Sequence, residues 1–77
     1  MNSAQKQRLE VIRCSVDDFL SEIEDMLDVE REKYDNMSEG LQQTSRGEEI
    51  SNAIDELETV VDAFESIGES LECIIYY

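Results

Sequence analysis

The chain has no histidine, no proline and no tryptophan, and only three glycines, Gly40, Gly47 and Gly68, among its 77 residues. Without histidine it lacks the side chain that most often serves as general acid, general base or metal ligand near neutral pH. The Glu-x-x-His pairs of di-iron bundles are excluded for the same reason. No glycine-rich run can cradle a phosphate, and no stretch carries the alternating Asp/Asn ligands and central glycine of an EF-hand loop. The absence of proline leaves long helices unbroken. No apolar run approaches the roughly 20 residues that cross a bilayer. The opening Met1-Asn2-Ser3-Ala4-Gln5-Lys6-Gln7-Arg8 has no apolar stretch behind it, so it does not read as a secretory leader. Two cysteines, Cys14 and Cys73, make no disulfide framework. The expectation is a reduced, cytoplasmic chain with free thiols.

Positive charge is scarce as well. Six basic residues stand against 20 acidic ones, a formal net charge of -14. No base occurs from Cys14 to Glu30, which holds seven acids, or from Gly47 to Tyr77, which holds nine. Such a field repels nucleic acid and anionic membranes and attracts basic surfaces. High charge often accompanies disorder. Here 40% of residues are hydrophobic and recur with a strict period, which argues for order.

That period is helical. From about residue 3 to 36, apolar side chains recur at steps of three and four. As heptads, Leu9, Val16 and Ile23 fall at a, Ile12, Phe19 and Met26 at d, and Leu20, Leu27 and Tyr34 at e. From about 45 to 75, Ile50, Leu57, Phe64 and Leu71 take a, Ala53, Val60, Ile67 and Ile74 take d, and Ile54, Val61 and Ile75 take e, with Gly68 interrupting the e row. An a/d/e stripe is wider than the seam between two helices. The predicted core is Leu9, Ile12, Val16, Phe19, Ile23, Leu27, Ile50, Leu57, Val61, Phe64, Ile67 and Leu71. Residues 37–44 form the one turn-rich patch. Asn36 is suited to a left-handed helix end, Leu41 to packing on Tyr34 and Ile50, and Ser45-Arg46-Gly47-Glu48 to a capping box.

A connection this short makes the helices antiparallel neighbours. It brings Leu27 near Leu57, Phe19 near Phe64 and Tyr34 near Ile50. It also sets Lys6, Arg8 and Arg13 beside Glu69 and Glu72. The fold expected is therefore all-α: a single domain over 1–77, an antiparallel two-helix hairpin of coiled-coil type. A hairpin this small has a thin core. Its wide stripe predicts a homodimer, a four-helix bundle; the alternative is a monomer with a short third helix in the loop. In the tail, Ile74 and Ile75 are expected to close the open end against Leu9 and Ile12.

The paired carboxylates Asp17/Asp18, Glu24/Asp25 and Asp55/Glu56 lie on polar faces, where water keeps them ionised, so no catalytic or metal site and no cofactor is expected. The acidic rows carry more information. Asp18, Glu22, Asp25 and Asp28, extended by Glu32, follow one another at helical spacing, as do Asp55, Glu58, Asp62, Glu65, Glu69 and Glu72. Neighbours in such rows are about 5–6 Å apart, comparable with successive phosphates of a nucleic-acid strand. Ordinary acidic helices intersperse lysine and arginine; the second helix here carries one base, Arg46, in its first turn. The reading is a non-enzymatic acidic protein whose partner is a basic protein surface, such as the groove of a nucleic-acid-binding protein. The rival reading is a helical oligomerisation or adaptor module whose acids keep it soluble.

The run Glu32-Lys33-Tyr34-Asp35-Asn36-Met37-Ser38-Glu39-Gly40-Leu41-Gln42-Gln43-Thr44-Ser45-Arg46-Gly47-Glu48, followed by an acidic amphipathic helix, resembles small acidic helical-hairpin proteins of bacterial and phage genomes. The resemblance covers about half the chain. It implies the hairpin and assigns no activity and no site residues. Small acidic phage proteins often inhibit host defence nucleases, some by imitating DNA; by that analogy of class alone the expectation is an anti-defence inhibitor, anti-restriction or anti-CRISPR, acting in the host cytoplasm.

Overall fold

The computed structural model describes all 77 residues. They form three helices and no strand: α1 spans Ser3–Asp35, α2 is the single turn Glu39–Gln42, and α3 spans Ser45–Ile75. Two long rods fold back on one another into a ribbon 58 Å long and 14 Å across. Its radius of gyration is 17.3 Å, where a compact domain of this length has about 11.5 Å. The accessible surface is 5701 Å², against about 4,800 Å² for a compact protein of this mass. Length has been gained at the expense of core.

Local chemistry sets the helix ends. Asn2 begins α1 with a capping box: its Oδ1 accepts from the Gln5 N–H at 2.8 Å, and Gln5 Oε1 accepts from the Asn2 N–H at 3.1 Å. The reciprocal bonds satisfy two donors that a helix start leaves free. Asn36 ends α1 in the right-handed region, and no residue in the chain has positive φ. The left-handed stop expected at Asn36 is therefore absent; the chain turns through α2 instead. Gln42 ties the elbow together, its Nε2 donating to the carbonyl of Tyr34 at 3.0 Å and of Met37 at 3.3 Å. The cap of α3 lies one residue earlier than expected. Thr44, not Ser45, accepts from the backbone, at the Gly47 N–H. The short helix α2 belongs to the expected alternative, and Leu41 within it is 54% exposed rather than packed under Tyr34.

The seam is narrower than the apolar stripe. In α1 the buried or half-buried positions are Lys6, Leu9, Arg13, Val16, Leu20, Ile23, Leu27, Glu30 and Tyr34; in α3 they include Gly47, Ile50, Ile54, Leu57, Val61, Phe64, Gly68, Leu71 and Ile75. Both series step alternately by three and four, the 3.5-residue repeat of a left-handed coiled coil. Only Val16, Leu27, Ile50 and Ile75 form the buried apolar core, and none of them is sealed completely from solvent.

The seam uses the a and e rows, not a and d. Ile12, Phe19 and Ile67, expected in the core, are exposed by 42%, 54% and 46%. At the elbow an a/d seam would run into Lys33 on α1 and Arg46 on α3, whereas the e rows end there in half-buried Tyr34 and buried Gly47. At the other end the e row does take in two half-buried cations, Lys6 and Arg13, which find the Tyr77 carbonyl and Glu72 as partners. Two helices cover only two rows of each other, so the d rows are left outside. Phe19 accordingly does not pair with Phe64 across the core, whereas Leu27 and Ile50 take their expected buried places. At the open end Ile75 is buried, while Ile74 is 39% exposed and Tyr76 and Tyr77 lie in solvent.

Candidate protein-binding faces

The a/e seam decides what each side of the ribbon displays. Successive residues of a helix are rotated by about 100°. With a and e facing the other helix, b and f project to one side of the ribbon, d and g to the other, and c outward along the edges. In an antiparallel pair, equivalent positions of both helices share a side. Two cross-helix ion pairs bear this out. Arg31, at b, donates to Glu58, also at b, at 3.0 Å, and Arg13 reaches across the seam to Glu72.

The b/f side is acidic. It gathers Asp55, Glu58, Asp62, Glu65, Glu69 and Glu72 from α3, and Glu10, Asp17, Glu24 and Asp28 from α1, all exposed except half-buried Glu72. Arg13 and Arg31 are the cations that enter this side, and both are engaged by its carboxylates. Ten acids less these two arginines lie within about 28 Å of ribbon, one net charge per roughly 3.5 Å. A single nucleic-acid strand carries one phosphate per about 3.4 Å, and a duplex twice that density. The face thus reproduces the line charge of one strand.

The acidic residues expected to act together are distributed unevenly. The α3 row lies wholly on the b/f side. The α1 row does not: Asp28 joins that side, Asp18, Asp25 and Glu32 occupy the outer edge, and Glu22 lies at g beside the apolar rows. Glu10, Asp17 and Glu24 complete the face and lie outside the expected rows. The ion pairs that reveal this side could have been sought in the sequence by asking which acids Arg13 and Arg31 reach across a hairpin.

A shallow notch of about 240 Å³ interrupts the acidic side, lined by Arg13, Asp17, Leu20, Phe64, Glu65, Gly68, Glu69 and Glu72. It exists because Gly68 occupies an e position where a larger side chain would stand; a Cβ built there meets nothing within 4 Å. The notch admits the Arg13 guanidinium into the seam, with its Nε buried and without a partner. No group of three or more Cys, Asp or Glu converges as a metal ligand set. Cys14 and Cys73 are free and exposed. No helix is long and apolar enough to cross a membrane.

The d side is apolar. Ile12, Phe19 and Met26 from α1 and Val60, Ile67 and Ile74 from α3 are exposed there, with Val29 at its rim. The neighbouring g positions are mixed: Ser15, Val29, Ala63 and Ser70 are small or apolar, Glu22, Glu49 and Glu56 are acidic, and Arg8 is basic. The ribbon therefore has one charged side and one apolar side.

Comparison of the chain with protein-family models, curated proteins and solved structures finds no match. The geometry of the two faces is what a functional reading must rest on.

Proposed function

We propose that this protein is a non-enzymatic acidic inhibitor that occupies the basic groove of a nucleic-acid-handling protein and excludes its substrate. The observation that carries this reading is the b/f face, whose net line charge matches that of a nucleic-acid strand on a rigid helical support. A groove evolved for phosphates presents lysines and arginines at that density. Carboxylates fixed on helices engage them without the ordering cost of a flexible acidic tail. Phage-type anti-defence, against a restriction or CRISPR effector in the host cytoplasm, is the setting in which such a ligand has most use. Asp55, Glu58, Asp62, Glu65 and Glu69, with Asp17, Glu24 and Asp28, supply the charge.

The test is a tagged pulldown from a host lysate in low salt and again in 0.5 M NaCl, followed by titration of the protein that elutes. Binding is expected to weaken steeply with salt, because each contact is a screened charge pair. Asp62→Lys combined with Glu65→Lys is expected to weaken it more than tenfold. An affinity indifferent to both salt and charge reversal refutes the acidic-face reading.

The exposed apolar side favours a second reading that is compatible with the first: a helical oligomerisation module, in which hairpins pair into a four-helix bundle and the acids keep the assembly soluble.

A further inference from the structure

The geometry points to a second copy of this chain as the occupant of the apolar side, docked through Ile12, Phe19, Met26, Val60, Ile67 and Ile74 about a two-fold axis perpendicular to the ribbon's length. This rests on the reading of the hairpin as a self-associating module, and it adds which face pairs and in which direction.

Area is the first argument. A large side chain exposes roughly 200 Å² when free, and these six are exposed by 36–58%. Together they present roughly 550 Å² of apolar surface, at the upper end of what a monomer shows in one patch. A symmetric pair that covered all of it would bury up to about 1,100 Å², at the ~1,000 Å² threshold of a specific interface. A two-fold contact also uses the same patch on both copies, so neither is left with an uncovered apolar side.

Charge is the second argument. The strongly acidic b/f sides would face outward from opposite sides of the bundle. Two layers of helices packed 8–10 Å apart separate them by about 20 Å or more, beyond the screening length of about 8 Å at physiological salt. The net charge of -14 per chain therefore opposes pairing through this side far less than through any other.

The direction follows from the ends of the d rows. At the elbow they finish in Lys33 and Arg46. A parallel pair would gather Lys33 and Arg46 of both copies, four cations, at one end of the bundle. An antiparallel pair moves each of these charges to the far part of the neighbouring ribbon and lays the apolar rows over one another. Lys33 is held by Glu30 at 2.9 Å within its own helix, so it needs no partner from the second copy.

Sedimentation equilibrium of the full chain in 0.15 M and 0.5 M NaCl is expected to give twice the 8.9 kDa chain mass, with the dimer tighter at the higher salt. Phe19→Asp with Ile67→Asp is expected to sediment as a monomer that keeps its helical circular dichroism; Met26→Glu alone serves as the milder variant should the double one unfold. A wild-type chain of single mass under both conditions overturns the docking. A dimer that survives both variants overturns the choice of face. For direction, Arg46→Cys is introduced together with Cys14→Ser and Cys73→Ser and carries a spin label. Label-to-label distances of ~40 Å or more are expected, because Arg46 lies near one end of the 58 Å ribbon and an antiparallel pair sets the two copies at opposite ends; distances under ~20 Å overturn the antiparallel arrangement. The acidic-face reading is read out separately, by Asp62→Lys and Glu65→Lys, which leave the apolar side untouched.

Discussion

The same substitution, glycine to alanine, should have opposite effects at two sites on α3. In a helix interior, alanine is favoured over glycine by about 1 kcal/mol, because the unfolded chain has less freedom to lose. At Gly68 nothing stands within 4 Å of an added Cβ, so Gly68→Ala should realise that gain. For a domain of this size, 1 kcal/mol moves the melting temperature by about 4–8 °C, and a rise of that order is expected. At Gly47 an added Cβ would stand 2.5 Å from the Gln42 carbonyl carbon and 2.6 Å from its Cα. An ordinary van der Waals contact is 3.4–4 Å, and the atoms in the way are backbone, which cannot swing aside. The first turn of α3 would have to move by nearly 1 Å from the end of α2, straining the Gln42 hydrogen bonds to Tyr34 and Met37. Overpacking of this kind costs typically 1–3 kcal/mol or more. A single core this small rarely supplies more than 3–5 kcal/mol in total. Gly47→Ala should therefore lower the midpoint by roughly 10 °C or more. Thermal denaturation followed by circular dichroism at 222 nm, at a fixed protein concentration, reads both variants. If Gly47→Ala melts at or above the wild type, the close approach of α2 and α3 at the elbow is wrong. If Gly68→Ala melts lower, the notch beside Arg13 is not open.

Two further outcomes follow from the division of the apolar stripe. Leu27→Ala, at a residue only 4% exposed, should lose about 2–5 kcal/mol and leave the chain largely unfolded at 37 °C, whereas Phe19→Ala should cost the isolated hairpin less than about 0.5 kcal/mol; urea titrations at low concentration, where self-association is suppressed, separate the two. Raising NaCl from 0.01 to 0.5 M should raise the melting temperature, because the screening length falls from about 30 Å to a few ångströms and relaxes repulsion along the acidic rows; a melting temperature that falls with salt would show that ion pairs such as Arg13–Glu72 outweigh that repulsion.

The hairpin was legible in the sequence because two helical stripes, one turn-rich patch and the placement of Arg13 against Glu72 all agreed. The phase of the seam was not. Leu20 at e and Phe19 at d are equally apolar, and hydrophobicity alone cannot choose between their rows. The elbow favours one of them: there one phase would cover Lys33 and Arg46 and the other covers Tyr34 and Gly47, and Gly47 lies against the Gln42 backbone. That elbow packing has no signature in periodicity. The error in phase propagated to the surface. Asp18 and Asp25 were grouped with Asp28 because they are neighbours along one helix, yet the seam turns them to the outer edge, while Asp17 and Glu24 turn toward the α3 row. On α3 the acids occur only at b and f over about the last six turns, apart from Glu56, so that row is insensitive to the phase.

The two faces also constrain one another. An acidic side dense enough to match a nucleic-acid strand repels its own copy, and an apolar side this large seeks one. A ribbon with charge mixed over both sides could do neither: every pairing would bury carboxylates, at a cost of several kcal/mol for each unpaired charge. Segregation lets both requirements hold in one chain of two helices. It also gives them opposite responses to salt. The proposed pairing through the d side should strengthen as salt screens the outward charge, and the proposed binding of a basic groove through the b/f side should weaken. A titration of salt that tightened the dimer while releasing a basic partner would separate the two faces by physics alone; one in which both weakened together would mean that carboxylates take part in the pairing and that the sides are not divided as the seam requires.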